Sequence, residues 1–148
     1  MARRVFFSFH YQRDIWRVNQ IRNLPEIIGD AAAGFQDASL WEESKRKGDD
    51  AIKKLIDYGL AGTTVTVVCV GTETANRKYI NYEIDESIKR GNGLVAVQIH
   101  HLKDKTGKTD LAGAIPYKIE ANRYKAYKYV DSDYLARWIE EAAKVAGK

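Results

Sequence analysis

The run Thr64–Val70, TVTVVCV, is the stretch on which the architecture turns. Its β-branched character is continuous and does not alternate with charged residues. A strand wetted on one face alternates, so this run reads as a strand covered on both faces, as at the centre of a parallel sheet. Cys69 lies inside it and reads as a buried core thiol; as the sole cysteine it excludes an intrachain disulfide and suits a reducing compartment.

Working outward, GTETAN at 71–76 reads as a turn, and a helix is expected from about Arg77 to Arg90 with Ile80, Ile84 and Ile88 stacked four apart. Gly91 and Gly93 bracket its exit, and LVAVQI forms the next strand. On the other side, Ala51, Ile52, Leu55 and Ile56 share a helical stripe that ends at YGLAG. Further back, RRVFFSF at 3–9 reads as a buried first strand. A helix near Asp14 follows it, carrying Ile15, Val18 and Ile21, with Pro25 as its interruption.

Between these lies EIIGDAAAGFQDASLW, in which Ala33–Gln36 reads as a short second strand leading to a loop at Asp37, Ala38 and Ser39. The stretch from His100 to Arg123 is long and irregular, a length typical of lids, binding loops or inserted hairpins. KAYKYV alternates as an edge strand with lysines toward water, and a last helix starts near Asp131–Asp133 with Leu135, Trp138, Ile139 and Ala142 inward. Strands alternating with helices predict one α/β domain over 1–148, with helices on both faces of a mostly parallel sheet.

Composition bounds the function. The 148 residues are 45% hydrophobic with a net charge of +4, enough for one core and only mildly basic. Lys103, Lys105, Lys108, Lys118, Arg123, Lys125 and Lys128 cluster in sequence but form no recognised nucleic-acid-reading motif, so nucleic acid is not expected as a partner. No run approaches the ~20 apolar residues of a membrane span, and MARRVFFSF does not read as a signal peptide. There is no GxGxxG, Walker loop or GxSxG, and His10, His100 and His101 lack the partners of a zinc site.

In an open α/β sheet, ligands collect beyond the carboxyl ends of the strands. That rule selects Ser8–Asp14, Asp37–Trp41, Gly71–Asn76 with the helix start behind it, and the His100 loop. Glu83 stands out: one residue before core-facing Ile84 and four after Tyr79, it is either an ordinary surface carboxylate or a partly desolvated one poised for proton or charge chemistry. His10 reads as a packed turn imidazole or a substrate contact, and Asp37 and Ser39 as an Asx turn, a cap or site residues. Arg77 and Lys78 oppose the dipole of the helix they open, which points to an acidic neighbour or an anion. Trp41 and Tyr79 read as core or rim aromatics, or as stacking surfaces for a base or a nicotinamide ring.

Taken together, RVFFSFHYQRD, AAGFQDASLWEE, TVTVVCVGTETANRKYINYEI and KRGNGLVAVQIH resemble the TIR-like proteins of bacterial antiphage defence, most closely the ThsB family of Thoeris systems. The resemblance covers about Arg3–His101. It implies a flavodoxin-like three-layer α/β fold with a five-stranded sheet in the order 2-1-3-4-5. It also implies cleavage of NAD+, a consumed substrate, with release of nicotinamide and formation of a cyclic ADP-ribose isomer as an antiphage signal. No metal or other cofactor is implied.

The family's catalytic glutamate lies in a W-x-x-x-E pattern, matched by YINYE, so the resemblance assigns catalysis to Glu83 with Tyr79 where relatives have Trp. Ser8, Phe9 and His10, Asp37 and Ser39, and Arg77 with Tyr79 are then the expected substrate-binding residues. The implied partners are a phage component as trigger and a downstream effector reached through a diffusible nucleotide, in the cytoplasm; a homo-oligomer is among the assemblies allowed. The rival reading is a catalytically inactive TIR-like adaptor or phage-sensing module. A receiver-like signalling domain fits poorly, because Val70 is followed by GTET and no phosphorylatable Asp.

Overall fold

The structure is a computed structural model, and it describes residues 3–22 and 44–148. Its elements in chain order are β1 (Val5–Ser8), α1 (Tyr11–Asn19), α2 (Asp49–Leu60), β2 (Val65–Val70), α3 (Lys78–Lys89), β3 (Gly93–Gln98), α4 (Tyr117–Ala121), β4 (Lys125–Lys128) and α5 (Ser132–Val145). The four strands form one parallel sheet with Val5 opposite Val65, Val65 opposite Gly93 and Val95 opposite Lys125.

The expected five-stranded sheet in the order 2-1-3-4-5 is corrected: among the described residues the sheet has four strands, in the order β1-β2-β3-β4. The extra strand expected at Ala33–Gln36 lies outside the described residues, as do Pro25 and Trp41. The strands that do pair are rich in β-branched and aromatic residues or, in β4, alternate. The segment 33–36 reads Ala-Gly-Phe-Gln, with no β-branched side chain and a glycine, a composition of low strand propensity.

Strand parity sorts the core into two layers. Val5, Phe7, Val65, Val67, Cys69, Val95 and Val97 face α1 and α5, meeting Val18, Ile21, Leu135, Trp138 and Ile139. The alternate residues face the other helices: Phe6 packs with Ile52, Ile56 and Leu60 of α2, and Val68, Val70, Leu94 and Ala96 with Ile80 and Ile84 of α3. Every residue of β1 and β2 is buried, as expected for strands covered on both faces. β4 is the exposed edge, as its lysines foretold, and Asp131 caps α5 by accepting from the Tyr134 amide at 3.0 Å.

The stretch after β3 packs down on the sheet's carboxyl end. Arg17 of α1 reaches into it, donating to the carbonyls of Leu102 at 2.8 Å and Lys108 at 3.1 Å and to Asp14 at 3.3 Å. Thr72 donates to the carbonyl of Leu111, and Gly113 lies so close to the backbone of Gly71 and Thr72 that a methyl there would overlap their carbonyls. Asp104 closes the loop on itself by accepting from the amides of Thr106 and Lys108, which holds its carboxyl down to about 2.

Candidate functional site

The alternation that builds the core also builds the site. Ser8, the last residue of β1, shares the parity of Phe6 and so faces α3. There its hydroxyl donates to Glu83 Oε1 at 2.6 Å. Glu83 sits on α3 between Ile80 and Ile84, which anchor the helix against the sheet, and is itself 4% exposed. Burial penalises its charged form and pushes its carboxyl up to about 8; the Ser8 hydrogen bond opposes that shift only in part. Among the described residues no lysine or arginine contributes to the balance.

Glu83 opens onto a cleft of about 250 Å³ between the carboxyl end of β1 and the first half of α3. Phe9, Tyr11 and Tyr79 supply aromatic walls, His10 and Gln12 polar groups, and Lys45, Arg77 and Lys78 a cationic side. His10 is held below its ordinary value, first by burial and then by Arg77, so the neutral imidazole is favoured at neutral pH.

The two cations that oppose the α3 dipole each have a carboxylate. Arg77 pairs with Glu73 at 3.3 Å and Lys78 with Asp49 at 2.8 Å. The hydroxyl of Tyr79 also donates to Asp49, at 2.7 Å.

Of the residues expected from the sequence, Phe9, His10, Arg77, Tyr79 and Glu83 therefore line one cleft. Ser8 is fully buried beneath it and touches Glu83, so its side chain sits behind the carboxylate. Asp37 and Ser39 lie outside the described residues. Tyr11, Gln12, Lys45, Lys78 and Ile80 also line the cleft. Gln12 was legible from the carboxyl-end rule, but nothing local to SKRK singles out Lys45, which reaches the cleft through tertiary packing. The 100–116 stretch contributes none of the lining residues among those described.

A larger recess of about 310 Å³ lies at the opposite end of the sheet, between the starts of β3 and β4 and the end of α5. Size alone would favour it. Its carboxylate, Glu141, is exposed and hydrogen-bonded to Tyr127 at 3.2 Å, so it offers no desolvated acid. Chemistry selects the Glu83 cleft. Among the described residues no group of three or more His, Cys, Asp and Glu side chains could hold a metal ion, and no helix is long and apolar enough to cross a membrane.

Residues 6–104 match the family described as "Thoeris protein ThsB, TIR-like domain". A curated relative from Bacillus cereus (strain MSX-D12), named "Putative cyclic ADP-D-ribose synthase ThsB1", is 45% identical over 131 residues, covering 87% of this chain. The match spans 66% of that relative's length. The matched region contains Phe6–Ser8 of β1, all of α3 and every described residue of the cleft.

Proposed function

The chain belongs to the TIR-like domain family of the Thoeris protein ThsB, and from that premise we propose that its cleft cleaves NAD+ and closes the ADP-ribose product into a cyclic isomer. The observation that carries this reading is Glu83: a single desolvated carboxylate, fixed by Ser8, at the floor of an aromatic cleft. The relative's name speaks of a putative cyclic ADP-D-ribose synthase, and its sequence matches 87% of this chain.

The chemistry follows from charge. NAD+ carries its positive charge on the nicotinamide ring. Placed beside Glu83 that charge compensates the buried carboxylate, drawing its proton affinity down and ionising it. As the bond between ribose C1′ and the nicotinamide nitrogen breaks, both electrons leave with nicotinamide and positive charge moves onto the ribose. The Glu83 anion stabilises that charge where water is excluded. An ADP-ribose nucleophile then bonds to C1′ and its proton passes to Glu83 or to solvent; attack by water instead gives linear ADP-ribose.

At about 250 Å³ the cleft is near the small end of ligand pockets, which start at ~300 Å³. It suits the reacting end of the dinucleotide, with Phe9 and Tyr79 against the ring and Lys45, Arg77 and Lys78 toward the phosphates. An open cleft at the carboxylate argues against the adaptor reading, for which a filled one would serve. The product acts as a diffusible signal to an effector, the trigger is a phage component, and the setting is cytoplasmic; the buried Cys69 thiol suits that compartment.

The test is a chromatographic and mass-spectrometric assay of NAD+ products. It compares the chain with Glu83→Gln, each with and without lysate from phage-infected cells. Glu83-dependent nicotinamide release with a cyclic product supports the proposal. Linear ADP-ribose alone makes the protein a hydrolase, and the absence of turnover in every arm turns the reading to the adaptor.

A further inference from the structure

Asp49, the first residue of α2, lies outside the cleft lining yet grips two residues that belong to it. Its Oδ1 accepts from the Tyr79 hydroxyl at 2.7 Å and from Lys78 Nζ at 2.8 Å, and Lys53, one turn along α2, holds Oδ2 at 3.2 Å. The Lys78 ammonium in turn stands 5.6 Å from the centre of the Tyr79 ring. A carboxylate tethered by its own helix thus fixes the tip of an aromatic side chain on another.

A second rung of the same kind joins the two helices further along. The Tyr82 hydroxyl donates to Asp57 at 2.9 Å, with Lys53 over the Tyr82 ring at 5.2 Å. Tyr82 does not line the cleft. The two rungs are alike in chemistry and join the same pair of helices, and they differ in what the tyrosine faces.

We propose that Asp49 is a positioning residue for dinucleotide binding: by anchoring the Tyr79 hydroxyl and the Lys78 ammonium it sets the ring plane and the cation that the substrate meets. This rests on the reading of the cleft as the NAD+ site. Asp49 touches no reacting atom. Its loss takes away the anchor of the Tyr79 hydroxyl on α2 and the carboxylate that holds the Lys78 ammonium, so substrate binding must itself fix that geometry.

The experiment measures kcat and KM for NAD+ in the full chain carrying Asp49→Ala, Asp49→Asn, Tyr79→Phe, the Asp49→Ala/Tyr79→Phe pair, and Asp57→Ala as the control rung. Asp49→Ala should raise KM by ~5–20-fold, the worth of one or two hydrogen bonds, with kcat changed less than about threefold. Tyr79→Phe should raise KM by a smaller factor, since it breaks only the hydroxyl half of the anchor, and the pair by no more than Asp49→Ala alone, because the two changes share that link. Asp49→Asn should recover most of the affinity, since its amide oxygen still accepts from Tyr79. Asp57→Ala should leave KM unchanged while lowering the melting temperature about as much as Asp49→Ala.

Unchanged KM in Asp49→Ala, fully additive effects in the pair, or an equal KM rise in Asp57→Ala would each overturn the inference. Calorimetric titration of Glu83→Gln with NAD+ separates the two layers. If that variant turns NAD+ over like wild type, the reading of the cleft fails and this inference with it. If it binds NAD+ but is silent in turnover, an unaffected Asp49→Ala counts against Asp49 alone.

Discussion

The Ser8 hydroxyl stands 2.6 Å from Glu83 Oε1, joining the last residue of β1 to the second turn of α3. Both side chains are buried, and the hydroxyl acts to lower the glutamate's proton affinity against the desolvation that raises it. The bond therefore bears on the charge of the cleft's central group as well as on its position.

Replacing Ser8 with Ala should move the Glu83 carboxyl further up. A hydrogen bond to a charged group contributes about 1.5–3 kcal/mol, and about 1.4 kcal/mol corresponds to one pH unit. The pH profile of kcat/KM for NAD+ should shift to the alkaline side by roughly one unit, with activity at pH 7 reduced about tenfold. A pH–rate series from 5 to 9 on both proteins checks this; a uniform drop with no shift would mean that Ser8 acts through geometry alone.

Glu83→Gln should stabilise the fold increasingly as pH rises. The carboxyl is raised from 4.5 to about 8 on folding, so between those values the folded state holds a proton that the unfolded state has released. The contribution is most favourable below about pH 4.5 and is lost as pH climbs through 8. Glutamine mimics the neutral acid at every pH. The variant should match wild type near pH 5 and exceed it by up to about 3–5 kcal/mol near pH 9, an upper bound for a fully buried group. Denaturant titrations at the two pH values decide it, and a constant difference would refute the desolvation argument.

NAD+ binding near pH 7 should release protons. Free Glu83 is mostly protonated there, and the nicotinamide cation favours its ionised form. Titrations in buffers of different ionisation enthalpy should report up to about one proton released per NAD+ bound in wild type and less in Glu83→Gln. Equal release in both would place the titrating group elsewhere, with His10 the first alternative.

What could be read in advance was what lies within one element. TVTVVCV, the isoleucine stripe of α3 and the alternating edge strand all carry their burial in their own spacing, and the stripe put Glu83 at the margin of the core before any neighbour was known. The partnerships were not legible. Ser8 meets Glu83 across 75 residues and Tyr79 meets Asp49 across 30, distances that only the packing of β1, α2 and α3 resolves. The strand at Ala33–Gln36 rests on the residues and the five-strand count on the family resemblance, and that segment lies outside the described residues. The His100–Arg123 stretch, of a length typical of lids, binding loops or hairpins, is tied to α1 by a buried arginine whose local sequence, DIWRVN, gives no hint of it.

That arginine makes the last prediction. Arg17 is 2% exposed, and its guanidinium serves two loop carbonyls and the Asp14 carboxylate, with Asp110 at 3.7 Å and Asp104 at 3.9 Å. Asp14 is fully buried, burial raising its carboxyl to about 6 against the pull of Arg17, and its Oδ2 has no hydrogen-bond partner among the described residues. At pH 7 wild-type Asp14 is mostly charged and paired. In Arg17→Met the charge would lose its partner, which for a buried pair costs about 3–5 kcal/mol. Two carbonyls of the 102–108 loop would be stranded as well. At pH 5 Asp14 is protonated in both proteins, so the penalty should shrink by about 1–2 kcal/mol. Thermal melts should show a loss of roughly 10 °C at pH 7 and a smaller one at pH 5, with faster amide exchange confined at first to 102–110. Because that loop supplies no wall of the cleft, NAD+ turnover measured well below the melting temperature should stay within about threefold of wild type. A larger loss would show that the clamp reaches the site, through Arg13, which pairs with both Asp110 and Glu73 next to the Arg77 loop.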